Sequence, residues 1–145
     1  MTEIPFPDAE RVAVELLKQW TPTIAPGAVI GTAIPDTEQV KESLLSGAVY
    51  VQVQRVGGNA INRVLDGPVM ELAVQTSTRA ESWRILRAIH ARLIGWYGDV
   101  DVPGDGLATV TGVTTAKDPT QIPGLNPDAR RVTARFLMKT RRPRH

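Results

Sequence analysis

The stretch from Pro68 to Tyr97 constrains the fold more than any other part of the chain. Met70, Leu72 and Val74 alternate with Val69, Glu71, Ala73 and Gln75, which is the period of a half-buried strand. A polar break follows, with Thr78 placed three residues before Glu81. That spacing predicts a capping box, in which the Thr78 hydroxyl accepts from the Glu81 amide and the carboxylate reaches back. Beyond it, Trp83, Leu86, His90, Leu93 and Tyr97 fall on one helical face, flanked by Ile85, Ile89 and Trp96. Arg79, Arg84, Arg87 and Arg92 take most of the remaining surface. Burying such a stripe does not by itself repay the entropy of ordering the helix. The helix therefore needs a sheet to lie on, and the strand before it is the nearest candidate.

The rest of the chain supplies that sheet. Asp8 to Trp20 reads as a first helix capped by Asp8, with Ala9, Val12, Ala13, Leu16, Leu17 and Trp20 as its apolar stripe. Pro22 is expected to end it. Ala28 to Ile34 reads as a short strand, with Gly31 as a bulge signal. Asp36 to Gly47 fits either a short helix or an ordered excursion. In Ala48 to Val56, Val49, Val51 and Val53 alternate with Tyr50, Gln52 and Gln54. Gly57-Gly58-Asn59 breaks that strand, and residues 57–67 are expected to form a mobile loop. Gly98 to Gly106 is acidic and turn-rich. Leu107 to Thr115 reads as a strand, and the segment 117–130, with Pro119, Pro123, Gly124 and Pro127, as a projecting loop. In the last strand, Arg131 to Thr140, Val132, Ala134, Phe136 and Met138 face the core while Thr133, Arg135 and Lys139 face out.

This order predicts one α/β (α+β) domain over residues 1–145, with 1–6 and 141–145 as flexible ends. Its mostly antiparallel or mixed sheet has four to five strands and is flanked by two main helices. A length of 145 residues and a hydrophobic share of 42% suit one domain with a real core. No apolar run approaches the roughly 20 residues that span a bilayer. Glu3, Pro5, Pro7 and Asp8 at the start do not read as a secretory signal. The absence of cysteine excludes disulfides and thiolate metal sites, and fits a reducing compartment.

The residues offer little to catalysis, and no catalytic residue, cofactor or metal is expected. Of the two histidines, His90 lies on the apolar helix face with no ligand-spaced partner, and His145 is the last residue. No G-x-S-x-G elbow or phosphate loop occurs. Asp99, Asp101 and Asp105 mimic a calcium loop only superficially, because Pro103 stands where an oxygen ligand is needed and no glutamate closes the loop. Trp20 and Trp83 read as core anchors, and Trp96 suits either the core or a partner. Net charge is +2, with Lys139, Arg141, Arg142, Arg144 and His145 crowded at the C-terminus. They read as a solvated basic tail, or as a contact to nucleic acid or an acidic partner. No aromatic interleaves them, which argues against base stacking. A compact platform, breaker-rich loops and sheet edges that must be covered suit assembly.

Asp8-Ala-Glu-Arg-Val-Ala-Val-Glu-Leu-Leu, Val51-Gln-Val-Gln-Arg-Val-Gly-Gly58 and Thr78-Arg-Ala-Glu-Ser-Trp83 together resemble the tail-terminator (tail-completion) proteins of long-tailed phages, those of actinobacterial hosts in particular. The resemblance runs over residues 6–140. It implies a structural virion protein, assembled in the host cytoplasm and located at the head-proximal end of the tail. There a six-membered ring halts tube growth and receives the head-completion or neck protein, and DNA passes through its lumen. A ring of identical subunits uses a heterologous, closing interface. The sheet edges and the segments 57–67 and 117–130 are the expected patches. Arg55, Arg63, Arg130, Arg131 and Arg135 are then candidates for inter-subunit ion pairs or for the channel lining, against the simpler reading of solvated surface charge. A head-closure or head–tail joining protein is the alternative. A nucleic-acid-binding module using Lys139, Arg141, Arg142 and Arg144 is a third reading.

Overall fold

The computed structural model describes residues 5–33, 38–121 and 131–143. The elements run α1 (Ala9–Ile24), β1 (Val29–Gly31), α2 (Glu38–Leu45), β2 (Tyr50–Ala60), β3 (Leu65–Gln75), α3 (Arg79–Leu93), β4 (Gly98–Val102), β5 (Gly106–Gln121) and β6 (Arg131–Arg141). The strands form one sheet in the order β1-β2-β3-β6-β5-β4. Only β1 and β2 are parallel; every other pair is antiparallel. The sheet is thus mixed and mostly antiparallel as expected. It has six strands rather than four or five, because Gly98–Val102 is a strand and not a turn-rich loop.

Alternation explains why β3 and β6 sit at the centre. Met70, Leu72 and Val74 pair with Phe136, Ala134 and Val132, and all six side chains are buried. Against this face lie Val12, Leu16 and Leu17 of α1 and Ile85, Leu86, Ile89 and Leu93 of α3, all buried in the same core. The core stripe of α3 is therefore centred on Ile85 and Ile89 rather than on Trp83 and His90. The helix stops at Leu93, and Tyr97 lies outside it, 75% exposed. Trp20 and Trp96 meet edge to face at 5.9 Å, and both pack against the core together with Trp83.

The helix entries follow local chemistry. Asp8 caps α1 by accepting from the Glu10 and Arg11 amides. Thr78 Oγ1 accepts from the Glu81 amide at 3.2 Å, which is half of the expected capping box. The Glu81 carboxylate instead takes Arg84, and the Thr78 amide donates to Thr76 Oγ1. A buried Thr76–Ser82 hydroxyl pair, 2.8 Å apart, completes the turn from β3 into α3.

Pro22 does not end α1, which continues to Ile24. The missing amide forgoes one helical bond. The last turn is held from outside instead: Thr21 and Ala25 are buried, Ile24 packs on the core, and the Ala25 amide bonds the Thr21 carbonyl at 2.7 Å. Residues 57–67 are not a loop. β2 and β3 pair as far as Ala60 and Asp66, so the connection is a short hairpin tip on a long two-stranded arm. β5 likewise runs past Thr115 to Gln121, into the segment expected to project; residues 122–130 lie outside the described ones. The ambiguous segment at 36–47 contains a helix, α2. Thr133, expected to face solvent, is buried on the sheet face turned away from α1 and α3.

Candidate functional site

Two open stretches of sheet edge and one charged sheet face stand out. At one side β1 pairs only with Tyr50, Val51 and Gln52, whereas β2 continues to Ala60. From Gln54 onward the outer side of β2 has no strand neighbour among the described residues. Part of that edge is blunted from within: the Arg55 amide donates to Glu10 Oε2 at 3.0 Å.

A bulge follows. Arg55 pairs with Met70 and Gly57 with Val69, so Val56 is the extra residue, and it stands exposed. The Arg55 guanidinium folds back onto the arm. It reaches Asp66 at 3.0 and 3.4 Å and the carbonyls of Gly57 and Gly58. The Asp66 side chain is only 5% exposed. Gly58, at φ +89°, is required here, because a Cβ would lie 2.1 Å from the Gly67 carbonyl oxygen. At the tip, Asn62 Oδ1 accepts from the Val64 and Leu65 amides. That turn leaves Ile61 and Val64 exposed on either side of the exposed Arg63.

The opposite edge is β4. Val100 and Val102 point into the core, and Asp99 and Asp101 point away from it. Thr109 Oγ1 donates to Asp99 at 2.7 Å. Exposed Leu107 pairs with Asp101, and exposed Tyr97 precedes the strand. Arg11 reaches from α1 to Asp105 and the Pro103 carbonyl, which fixes the β4–β5 turn.

The third feature is the sheet face opposite α1 and α3. Because Val132, Ala134, Phe136, Met138 and Thr140 are buried, alternation sends Arg131, Arg135, Lys139 and Arg141 to the other face. Lys117 of β5 pairs with Arg135 and joins them. Glu71 takes Arg135 at 3.1 Å. Near β2 the same face carries Gln52 and Gln54, whose amides both donate to the Thr32 carbonyl.

Of the sequence candidates, Arg131, Arg135, Lys139 and Arg141 thus share one face. Arg63 stands at the hairpin tip, and Arg55 is engaged within the arm. Arg142 does not join the basic face. Its amide donates to the Val64 carbonyl at 2.7 Å, and its guanidinium stacks on the Phe6 ring at 4.5 Å. Arg130 and Arg144 lie outside the described residues. The sequence reading missed Asp66 as the partner of Arg55, and it missed the β4 edge. The signal for the edge was present in the alternation Asp99-Val100-Asp101-Val102.

Nothing in this arrangement resembles a reaction centre. Among the described residues no group of His, Asp or Glu is placed to hold a metal ion. Among the described residues, the hydrogen-bond partner of His90 is a hydroxyl, Thr115 Oγ1 at 3.3 Å. Glu81, on the surface of α3, has its carboxyl lowered from its ordinary titration range. It is held low chiefly by the hydrogen bond from Arg84, opposed by desolvation and helped by that cation's charge. No described helix is long and apolar enough to cross a membrane.

Comparison with known proteins agrees with an assembly protein. One solved chain shares 16% identity with this one at a TM-score of 0.57, covering 92% of each chain; it comes from a structure described as the virion of a native gene transfer agent particle. That likeness concerns the fold. A search of curated proteins finds no match. A protein-family model described as phage tail termination protein matches residues 5–145. The chain belongs to the phage tail termination protein family, whose members are structural, non-enzymatic components of the virion tail.

Proposed function

We propose that copies of this chain close into a six-membered ring at the head-proximal end of the tail tube, stop the tube from growing, and offer the docking surface for the head-completion or neck protein. The observation that carries this reading is the pair of open edges at opposite sides of one sheet. One is β2 beyond Gln52, with Val56, Ile61, Val64 and Arg63 near its end. The other is β4, with Tyr97, Leu107, Asp99 and Asp101. The two sides differ in charge and each carries exposed apolar residues. Edge of one copy against unlike edge of the next is a heterologous contact, and such contacts generate rings when the rotation closes. The number six and the position on the tube come from the family resemblance. The likeness to terminators of actinobacterial phages rests on sequence texture alone.

Native mass measurement of the protein bound to purified tail tubes tests this reading. The expected result is six copies per tube end and no further elongation when tube subunits are added. The double substitution Ile61→Asp, Val64→Asp should abolish the six-copy species while leaving the circular dichroism spectrum of the subunit intact. Tubes that elongate normally in saturating protein would overturn the proposal.

A further inference from the structure

We infer that the sheet face carried by β6 binds the phosphate backbone of duplex DNA. Arg131, Arg135, Lys139 and Arg141 fall at odd-numbered positions of a single strand, with Thr133 and Leu137 between them, so their side chains leave the same face of the sheet. At about 3.4 Å per residue the column is roughly 34 Å long, close to one turn of B-form duplex. Lys117 stands beside Arg135 on the neighbouring strand. Among pairings between described residues, the Arg135–Glu71 contact is the only ion pair any of these five side chains makes. Asp99 and Asp101 stand on the same face at its β4 side, two strands from β6, with Asp99 taken by Thr109; the column of cations along β6 itself matches a linear polyanion, whose backbone offers an anionic oxygen every few ångströms.

Neighbouring residues suit the same partner. Between the cations this face presents Ala73, Gln52 and Thr133 near its middle, and the half-buried pair Val69 and Leu137, with Thr114 opposite Leu137. The aromatic of this face, Tyr50, stands two strands from Arg131, and no described aromatic stands along the β6 column itself, so backbone contact and not base stacking is the mode. The cations of α3 and α1 offer a contrast. Arg84 is taken by Glu81 and Lys18 by Glu15, and these side chains radiate from curved helical surfaces. This inference does not depend on the ring. It concerns the face of the single subunit, although a ring that turned this face inward would present it to DNA in transit.

The test compares two variants with the same change in net charge. One carries Arg131→Gln, Arg135→Gln, Lys139→Gln and Arg141→Gln. The other carries Lys18→Gln, Arg79→Gln, Arg87→Gln and Arg92→Gln on the helical side. Binding of each to a fluorescent 30-base-pair duplex is measured by anisotropy from 25 to 200 mM salt. The sheet-face variant should lose at least tenfold in affinity at low salt, and its slope against log salt should fall by about 3.6, near 0.9 for each of the four lost phosphate contacts. The helix-side variant should keep most of the slope. A third variant, with Arg131, Arg135 and Arg141 changed to Lys, should retain the slope and so separates charge from folding. Equal losses for the two neutralised variants would overturn the inference, as would wild-type protein that does not bind at 25 mM salt. Loss of association with tail or neck proteins at unchanged DNA affinity would also overturn it, in favour of an acidic protein partner.

Discussion

Arg55 was a candidate for a contact between subunits, but its geometry gives it a role inside one subunit, and the energy of that role can be estimated. The guanidinium makes two contacts to Asp66 and two to backbone carbonyls of the bulge. The Asp66 carboxylate is 5% exposed and Arg55 is 36% exposed. A wholly surface pair is worth about 1 kcal/mol or less. Removing one partner of a wholly buried pair costs roughly 3–5 kcal/mol, because a charge is left without compensation. Here the carboxylate is buried and retains only the Gly67 amide, while the cation is partly solvated. Arg55→Met should therefore cost about 2–3 kcal/mol, or roughly 5–10 °C in melting temperature for a chain of this size. Asp66→Asn keeps an oxygen acceptor and should cost less. Urea denaturation of wild type, both single variants and the double variant gives the coupling energy, expected at about 1–2 kcal/mol. After correction for stability, Arg55→Met should leave ring formation unchanged. A cost below about 0.5 kcal/mol with no coupling would refute this reasoning and return Arg55 to the pool of free surface cations.

Other consequences follow from single features. Gly58→Ala should destabilise by at least about 2 kcal/mol in the same denaturation assay, since it meets both an unfavourable φ and the Gly67 carbonyl. Pro22→Ala should stabilise by about 1 kcal/mol, seen as a higher melting temperature, because it supplies an amide to the last turn of a helix that already exists. Glu81 has its folded-state titration lowered chiefly by the Arg84 hydrogen bond, so what it contributes to stability is present above the ordinary carboxylate range and is lost as pH falls through the lowered value. Arg84→Gln should move the Glu81 titration back up, read by NMR of the side-chain carboxyl; an unmoved curve would show that the pair is not formed in solution.

The parts of the fold legible in the sequence were those fixed by period. Alternation in Val49–Val53, Val69–Gln75 and Arg131–Thr140 placed the centre of the sheet, and it also put Arg135 and Lys139 on the outer face. Departures came where a long-range contact overrode a local signal. Gly57-Gly58 reads as a terminator, but both stay in the ladder beyond the Val56 bulge, which Arg55 and Asp66 brace, and a partner 11 residues away leaves no local trace. Pro22 reads as a stop, but burial of Thr21 and Ala25 carries the helix past it. Tyr97 fits the period of α3, yet Ile94 is already extended, with its amide closing on the His90 carbonyl. The surface candidates were less legible still. A list of arginines carries no information on which ones find a carboxylate in their own chain.

The charges on the two edges bear on why such a chain would close into a ring rather than stop at a pair. If β4 met β4 of another copy in antiparallel fashion, Asp99 and Asp101 of both strands would be drawn along one seam, and like charges opposite one another destabilise a strand pair. Charged residues are a common device for keeping an edge from pairing with itself. The open part of β2 from Gln54 to Ala60 contains no carboxylate of its own, Glu10 of α1 is already spent on the Arg55 amide, and Arg63 stands near the end of the edge. The β4 edge is thus disfavoured against its own kind and compatible with the unlike edge. A self-pairing edge would give a closed dimer with both β4 strands spent. An edge that accepts only its opposite leaves a free site of each kind after every addition, and only a return to the first copy consumes both. On the proposed reading, the acidic alternation of a five-residue strand favours a ring over a dimer at small cost to the subunit, because Val100 and Val102 still fill the core.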